Sequence, residues 1–439
     1  MLNLKSRPLL RSTVFLTISA LALRGLGLAF QVVISNRIGA SGTGLFSLVI
    51  SVYSLALTVA ISGVRYAVTR LVAEQETLAP GNIPRVMRKC FAYALVFSFA
   101  AGFALYNAAE VIGRYWLDDL RVVPSLRIMS LGLPAISLSS VIGGYFTAMR
   151  RAVRGSVDQI VEQVSMLIAT VALINSVPQT LDYQCAAISL GAVIADFCGF
   201  FTSCGLYYFD KRKEKRLHRD GSAGIPAPKL LPVALPVAMT AYARVALTTI
   251  QHLMIPSGLK RSGLNGEAAL AAYGQLHAMA FPIVMFPAVI MSSAAELIVP
   301  ELTAAQAAGR TLKVRNIVIR VMKLSFVFAL ICAGLLFVLS NQLGQLFYKS
   351  DEVGRYIRMF SPLVVVMYLD MITDGMLKGL GEQVYTMGVN ILDSGVSLLL
   401  VWLTLPIWGL NGYIFMVFFT ELFNFALSIK RLRRFTKLA

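Results

Sequence analysis

Apolar positions along this chain come neither in the i, i+3, i+4 stripes of a soluble amphipathic helix nor in the alternation of a half-buried strand; they come in long continuous runs. Reading for stretches of about 20 apolar residues, the length that crosses a hydrocarbon core of about 30 Å as a helix, gives twelve of them. They lie near residues 10–34, 43–66, 89–111, 123–149, 156–177, 184–209, 231–255, 275–299, 320–341, 356–379, 384–405 and 409–429. Inside lipid only α-helices and closed barrels satisfy every backbone N–H and C=O, and barrel strands are short and alternating. The pattern predicts an all-α polytopic membrane protein with about twelve transmembrane helices. The first run is too long for the apolar core of an export signal and no small-residue cleavage site follows it, so it is expected to stay in the membrane.

The runs repeat. At an offset of 231 residues LRIMS (126–130) meets IRMFS (357–361), GYFTAMR (144–150) meets GMLKGLG (375–381), Gln159 meets Asn390 and Glu162 meets Asp393. After a shorter loop, Asp196 meets Glu421 at an offset of 225. Registration through several helices predicts a duplicated six-helix unit. Because six is even, the copies share one orientation in the membrane, a parallel pair. The expected organisation is an N-terminal lobe over 1–209, a basic linker over 210–229 ending in GSAGIPAPK, and a C-terminal lobe over 230–439.

Composition agrees with the runs: the 439 residues are 57% hydrophobic and 14% charged, with a mean hydropathy of +0.71, whereas soluble chains are about a quarter charged. With the N-terminus inside, segments on the cytoplasmic side hold 28 Lys and Arg and the outer loops hold seven. That bias predicts both termini in the cytoplasm. It also explains the net charge of +18: KRKEKRLHRDG (211–221) and KRLRRFTK (430–437) flank spans, where anionic lipid attracts them. No nucleic-acid partner is expected.

Catalytic signatures are missing. Five cysteines lie in or beside apolar runs without C-x-x-C spacing, and there is no H-E-x-x-H, G-x-x-x-x-G-K-[ST] or G-x-S-x-G. No enzyme activity, resident metal or cofactor is expected. GASGTG (39–44) resembles a phosphate loop but joins two spans, and reads as a turn.

What remains is charge inside the runs. An arginine at a helix centre costs roughly 3 kcal/mol even on the lenient insertion scale, yet Arg24 lies midway along the first run, Arg65 near the end of the second and Arg244 in the seventh. Their planar forks suit phosphate or carboxylate oxygens and stay charged, which makes the three candidate anion-binding residues. The alternative for Arg24 and Arg244 is pairing with a buried acid such as Glu162 or Asp196, and for Arg65 snorkelling to headgroups. Glu162, Asp196 and Glu421 sit at repeat-related positions, which suggests structural interhelical hydrogen bonds. Asp370 and Asp374 are different: spaced i, i+4 on one helix face, they meet Ser139 and Gly143 in the other half. A pair confined to one half is a candidate coupling site for Na+ or H+, with Asp393 a third ligand. Pro282 and Pro287 interrupt the eighth run and predict bending there.

Three stretches carry a resemblance: 35–74 (SNRIGASGTGLFSLVISVYSLALTVAISGVRYAVTRLVAE), 255–302 (IPSGLKRSGLNGEAALAAYGQLHAMAFPIVMFPAVIMSSAAELIVPEL) and 385–413 (YTMGVNILDSGVSLLLVWLTLPIWGLNGY). In order and spacing they resemble the stage V sporulation protein B and polysaccharide-exporter branch of the multidrug, oligosaccharidyl-lipid and polysaccharide (MOP) flippase superfamily. The resemblance implies two six-helix lobes in a MATE-like V, alternating access, and transfer of an undecaprenyl-diphosphate-linked sugar between leaflets. It implies partnership with lipid-linked glycan, with anionic lipids and with glycan-synthesis enzymes. Lipid II flippases, related to that branch, hold the diphosphate with first-lobe arginines, a role that falls on Arg24 and Arg65. They commonly have fourteen helices, the last two helping to groove the lipid tail, and twelve runs leave that groove incomplete. Two other readings stay open: a cation-coupled drug or metabolite exporter using Asp370, Asp374 or Glu162, and a non-transporting envelope scaffold.

Overall fold

Every one of the twelve apolar runs folds as helix, and most of the breaks fall at glycine or proline. The structure, a computed structural model, describes residues 7–78, 80–214 and 231–437. Most of the expected linker therefore lies outside the described residues. Helix α1 (Arg7–Ile61) holds the first two runs and departs from helical geometry at Gly39, with φ 72° and ψ −179°. The turn expected over GASGTG is thus helix from Ala40 onward; one glycine in a backbone conformation that a side chain disfavours redirects the chain. Gly44 then packs so closely on Leu270 and Gly274 that a Cβ would strike their backbone.

Helix α2 (Val64–Leu78) follows a break at Ser62 and Gly63, and α3 (Ile83–Val111) runs on through a π turn. The fourth run is a pair, α4 (Val123–Ser130) and α5 (Leu133–Ala148), bent by 45°. Then come α6 (Ala152–Ser176), α7 (Leu181–Glu214) and α8 (Leu231–Arg261). The eighth run, preceded by α9 (Gly266–Tyr273), is divided, as its prolines predict, into a π turn over Gly274–Ala280, α10 (Phe281–Met285) and α11 (Ala288–Ala307). After α12 (Thr311–Tyr348), the tenth run is a pair bent by 55°, α13 (Asp351–Phe360) and α14 (Leu363–Gly379). Helices α15 (Gln383–Trp408) and α16 (Leu410–Lys437) close the chain. Among the described residues nine helices, or eleven spans with the bent pairs, are long and apolar enough to cross a membrane. One of the nine carries the first two runs, and two of them divide the eighth.

The backbone repeats as the sequence does. Asp118 and Lys349 are both left-handed, with φ 52° and 51°, and stand 231 apart. Arg150 and Gly381, also 231 apart, are both left-handed, and the two bends follow Ser130 and Phe360. Thr69 Oγ1 donates to the Gly144 carbonyl just as Thr303 Oγ1 donates to that of Gly379.

Two compact units result, and no single cut separates them. Unit 1 is residues 1–26 with 48–249, and unit 2 is 27–47 with 250–439. Helix α1 passes from unit 1 into unit 2 after Leu26 and back after Ser47, and α8 passes from unit 1 into unit 2 after Thr249. Unit 1 has a core of Val68, Met87, Ile142 and Tyr145, and unit 2 one of Leu302, Val318, Ile372 and Met376.

Each unit carries a clasp at an equivalent turn, with the charges exchanged. In unit 1 Arg151 and Arg154, beside the α5–α6 turn, both pair with Asp210 near the end of α7, which also accepts from Tyr145 Oη at 3.1 Å. In unit 2 the residue 231 beyond Arg151 is Glu382, which accepts from Arg431 on α16 at 2.8 and 2.9 Å. The Asp210 side chain is 1% exposed and its arginines about a third, so Asp210→Ala should cost about 2–3 kcal/mol, less than a fully buried pair. Glu382→Ala, at a more exposed site, should cost about 1 kcal/mol. Thermal unfolding of the two purified variants checks that order, and a larger loss for Glu382→Ala reverses it.

Candidate functional site

The break between α1 and α2 shapes a cavity in unit 1. Ser62 Oγ hydrogen-bonds with the hydroxyls of Tyr93 on α3 and Tyr242 on α8. Gly63 packs on the Ala234 carbonyl, so α8 lies directly against the break. The first turn of α2 consequently opens onto a cavity of about 560 Å³ whose lining includes Thr58, Arg65, Tyr66, Thr69, Thr147 and Ala241. Gly143 on α5 leaves room for the Arg65 guanidinium, which would stand 3.8 Å from a Cβ placed there. The N-terminal end of a helix adds free N–H donors and a positive dipole end at the same place. A fixed cation with a helix N-terminus is an arrangement that takes anions.

Arg24 and Arg244 are exposed, and neither pairs with a described carboxylate. Both belong to unit 1. All three candidate arginines therefore sit in one unit, although Arg244 comes from the second half of the chain. Glu162 and Asp196, the partners considered for Arg24, instead lie close enough to each other and to Tyr53 for their charges to interact. Asp196 packs at Gly132 and Glu162 at Gly199.

The acids of unit 2 form the denser group. Asp370, 8% exposed, accepts from Asn424 Nδ2 at 3.2 Å, and Ser428 Oγ lies 3.4 Å from Asp374 Oδ1. Asp374, Asp393 and Glu421 are all near enough to Asp370 to repel it. Asp370 Oδ1, Asp393 Oδ1 and Asn424 Oδ1 are buried without a hydrogen-bond partner. Orphaned acceptors in a low-dielectric setting call for a donor or a cation, so the group suits a proton or Na+. Among the described residues no three His, Cys, Asp or Glu side chains converge as a metal-ion ligand set, which leaves a sodium ion dependent on Asn424 and Ser428 oxygens as well. Glu421, read from the repeat as structural alone, stands inside this group.

Three features escape a reading of the runs. Asp158, 8% exposed, lies one turn before Glu162 and feels the charge of Arg65; its i, i+4 spacing from Glu162 was the available signal. Tyr66 enters only because α5 and α8 complete a wall around it. His252 and His277, 25 residues apart, bring their rings to 4.4 Å, with Tyr273 Oη 3.1 Å from His252 Nδ1, and nothing in spacing announces that.

Apolar spans in repeated helical units, an anion-suited cavity and a buried acid group define a polytopic membrane transporter. The chain belongs to the polysaccharide biosynthesis protein family, whose sequence profile matches residues 9–306; the MatE profile matches 251–403. It is 24% identical over 415 residues to stage V sporulation protein B of Bacillus subtilis, covering 92% of this chain and 79% of that one. To lipid II flippase MurJ of the same organism it is 25% identical over 428 residues, covering 90% and 77%. Among solved structures it superposes on an inward-facing multidrug resistance MATE family transporter of the MOP superfamily, with a TM-score of 0.73, 14% identity and coverage of 96% and 99%. Together these make it a multi-pass membrane flippase or transporter of the MOP superfamily, with the fold that the resemblance implies.

Proposed function

We propose that the protein moves a diphosphate-linked sugar on a polyprenyl carrier from the inner to the outer leaflet of a bacterial plasma membrane, without catalysing a covalent step. The observation that carries this reading is Arg65 at the start of α2, beside a cavity large enough for a headgroup; clefts that enclose a small ligand run from about 300 to 1,000 Å³. Arg24 and Arg244 add positive charge to the same unit. The charge bias supports both termini in the cytoplasm, with anionic lipids and glycan-synthesis enzymes as neighbours. The acid group of unit 2 supports coupling to H+ or Na+. A cation exporter would use the same acids, but an arginine in the cavity argues against a cationic substrate.

Binding tests it directly. Farnesyl diphosphate, a short soluble carrier analogue, should bind the purified protein by titration calorimetry, and Arg65→Ala should weaken it about 10- to 100-fold, the worth of a lost charge-assisted contact. Unchanged affinity removes Arg65 from the site.

A further inference from the structure

The wall of the unit 1 cavity has a chemistry that a phosphate alone does not use. Thr58 Oγ1 donates to the Ser54 carbonyl at 2.7 Å, Thr69 Oγ1 to the Arg65 and Gly144 carbonyls at 2.9 and 3.1 Å, and Thr147 Oγ1 to the Gly143 carbonyl at 2.8 Å. A hydroxyl has one hydrogen and two lone pairs. With each hydrogen committed to the main chain, the three threonines offer acceptor oxygens. Acceptors beside a fixed cation suit a ligand that is anionic at one end and rich in O–H or N–H donors at the other. Tyr66 supplies the remaining piece: it is next to Arg65 in sequence, lines the same space and is 54% exposed. An exposed aromatic side chain beside hydroxyl acceptors is a platform for the C–H face of a sugar ring.

We infer that the cavity holds a sugar subsite beside the phosphate site, with Tyr66 as the stacking platform and Thr58, Thr69 and Thr147 accepting from the sugar's hydroxyl or amide groups. This rests on the reading of Arg65 as an anion-binding residue. Adjacent positions on α2 then divide the work: Arg65 takes the diphosphate and Tyr66 reads the first sugar attached to it. The volume admits a headgroup of that size rather than a polymer, so selection acts on the sugar nearest the carrier.

Two probes separate the roles in the full-length protein: farnesyl diphosphate, and the same molecule bearing N-acetylglucosamine on its terminal phosphate. The wild type should bind the sugar-bearing probe about tenfold more tightly, the scale of one aromatic contact with a hydrogen bond or two. Tyr66→Leu should reduce that preference to within about twofold while leaving farnesyl diphosphate binding unchanged, which also shows the variant to be folded; Tyr66→Phe should keep it. Thr147→Val should lose part of the preference and none of the naked diphosphate affinity. A wild type without preference, or a Tyr66→Leu variant that retains it, overturns the sugar subsite. If Arg65→Ala still weakens both probes in that case, the anion site survives alone. If Arg65→Ala weakens neither, the anion reading fails and takes the sugar subsite with it.

Discussion

Replacing Asp370 and Asp374 together by asparagine should abolish the dependence of transport on a proton or sodium gradient while the protein still accumulates in the membrane. Asparagine keeps an acceptor for Asn424 Nδ2, which bonds Asp370 Oδ2 at 3.2 Å, and it removes the repulsion between Asp370 and Asp374. Folding should therefore hold, with thermal stability equal to or above that of the wild type. Two readouts identify the ion. If it is sodium, adding sodium stabilises the wild type by mass action, by about 2.7 kcal/mol at a hundred times its Kd, and the double variant loses that increment. If it is a proton, sodium changes neither protein, while an imposed pH gradient drives uptake in wild-type vesicles alone. Gradient-dependent transport by the double variant would return both aspartates to a structural role beside Glu421.

The route from sequence to this site was open in some places and closed in others, for physical reasons. Apolar runs dictate helices because lipid leaves the backbone no other partner, and the twelve runs are all helical. The 231-residue offset reappears in backbone torsions at Asp118 and Lys349, since a duplicated chain must turn at duplicated places. Closed to the sequence was the division into units, which crosses α1 after Leu26 and again after Ser47, and α8 after Thr249; contact partners hundreds of residues away decide it. That division is what places Arg244 with Arg24 and Arg65. Equally hidden was the geometry at Gly39, where one residue does the work expected of a six-residue turn. Tyr66 and the threonines gain meaning only when α2, α5 and α8 enclose one space, whereas Asp370 and Asp374 were legible because helical periodicity puts i and i+4 on one face.

Arg24 gives the second large effect, since Arg24→Ala should leave folding intact and nearly stop transport. In the structure the side chain is exposed and pairs with no described carboxylate, and the two acids that could have neutralised it, Glu162 and Asp196, lie beside each other and Tyr53 and make no ion pair with it. No buried charge is left uncompensated by its removal, so the loss of about 3–5 kcal/mol that follows breaking a buried pair does not apply. Taking a charge out of a membrane helix instead relieves an insertion cost of roughly 3 kcal/mol. That cost has to be offset by a task, and a charge-assisted contact with a diphosphate, worth about 1.5–3 kcal/mol, matches it in size. Transport of a lipid-linked sugar into the outer leaflet of proteoliposomes should then fall about 10- to 100-fold, with membrane yield and unfolding temperature at wild-type levels. Arg24→Lys should recover only part of the rate, because an ammonium lacks the planar fork. Poor expression or a lowered unfolding temperature in Arg24→Ala would point to a hidden acidic partner, and a well-folded variant that transports at the normal rate would remove Arg24 from the substrate path altogether.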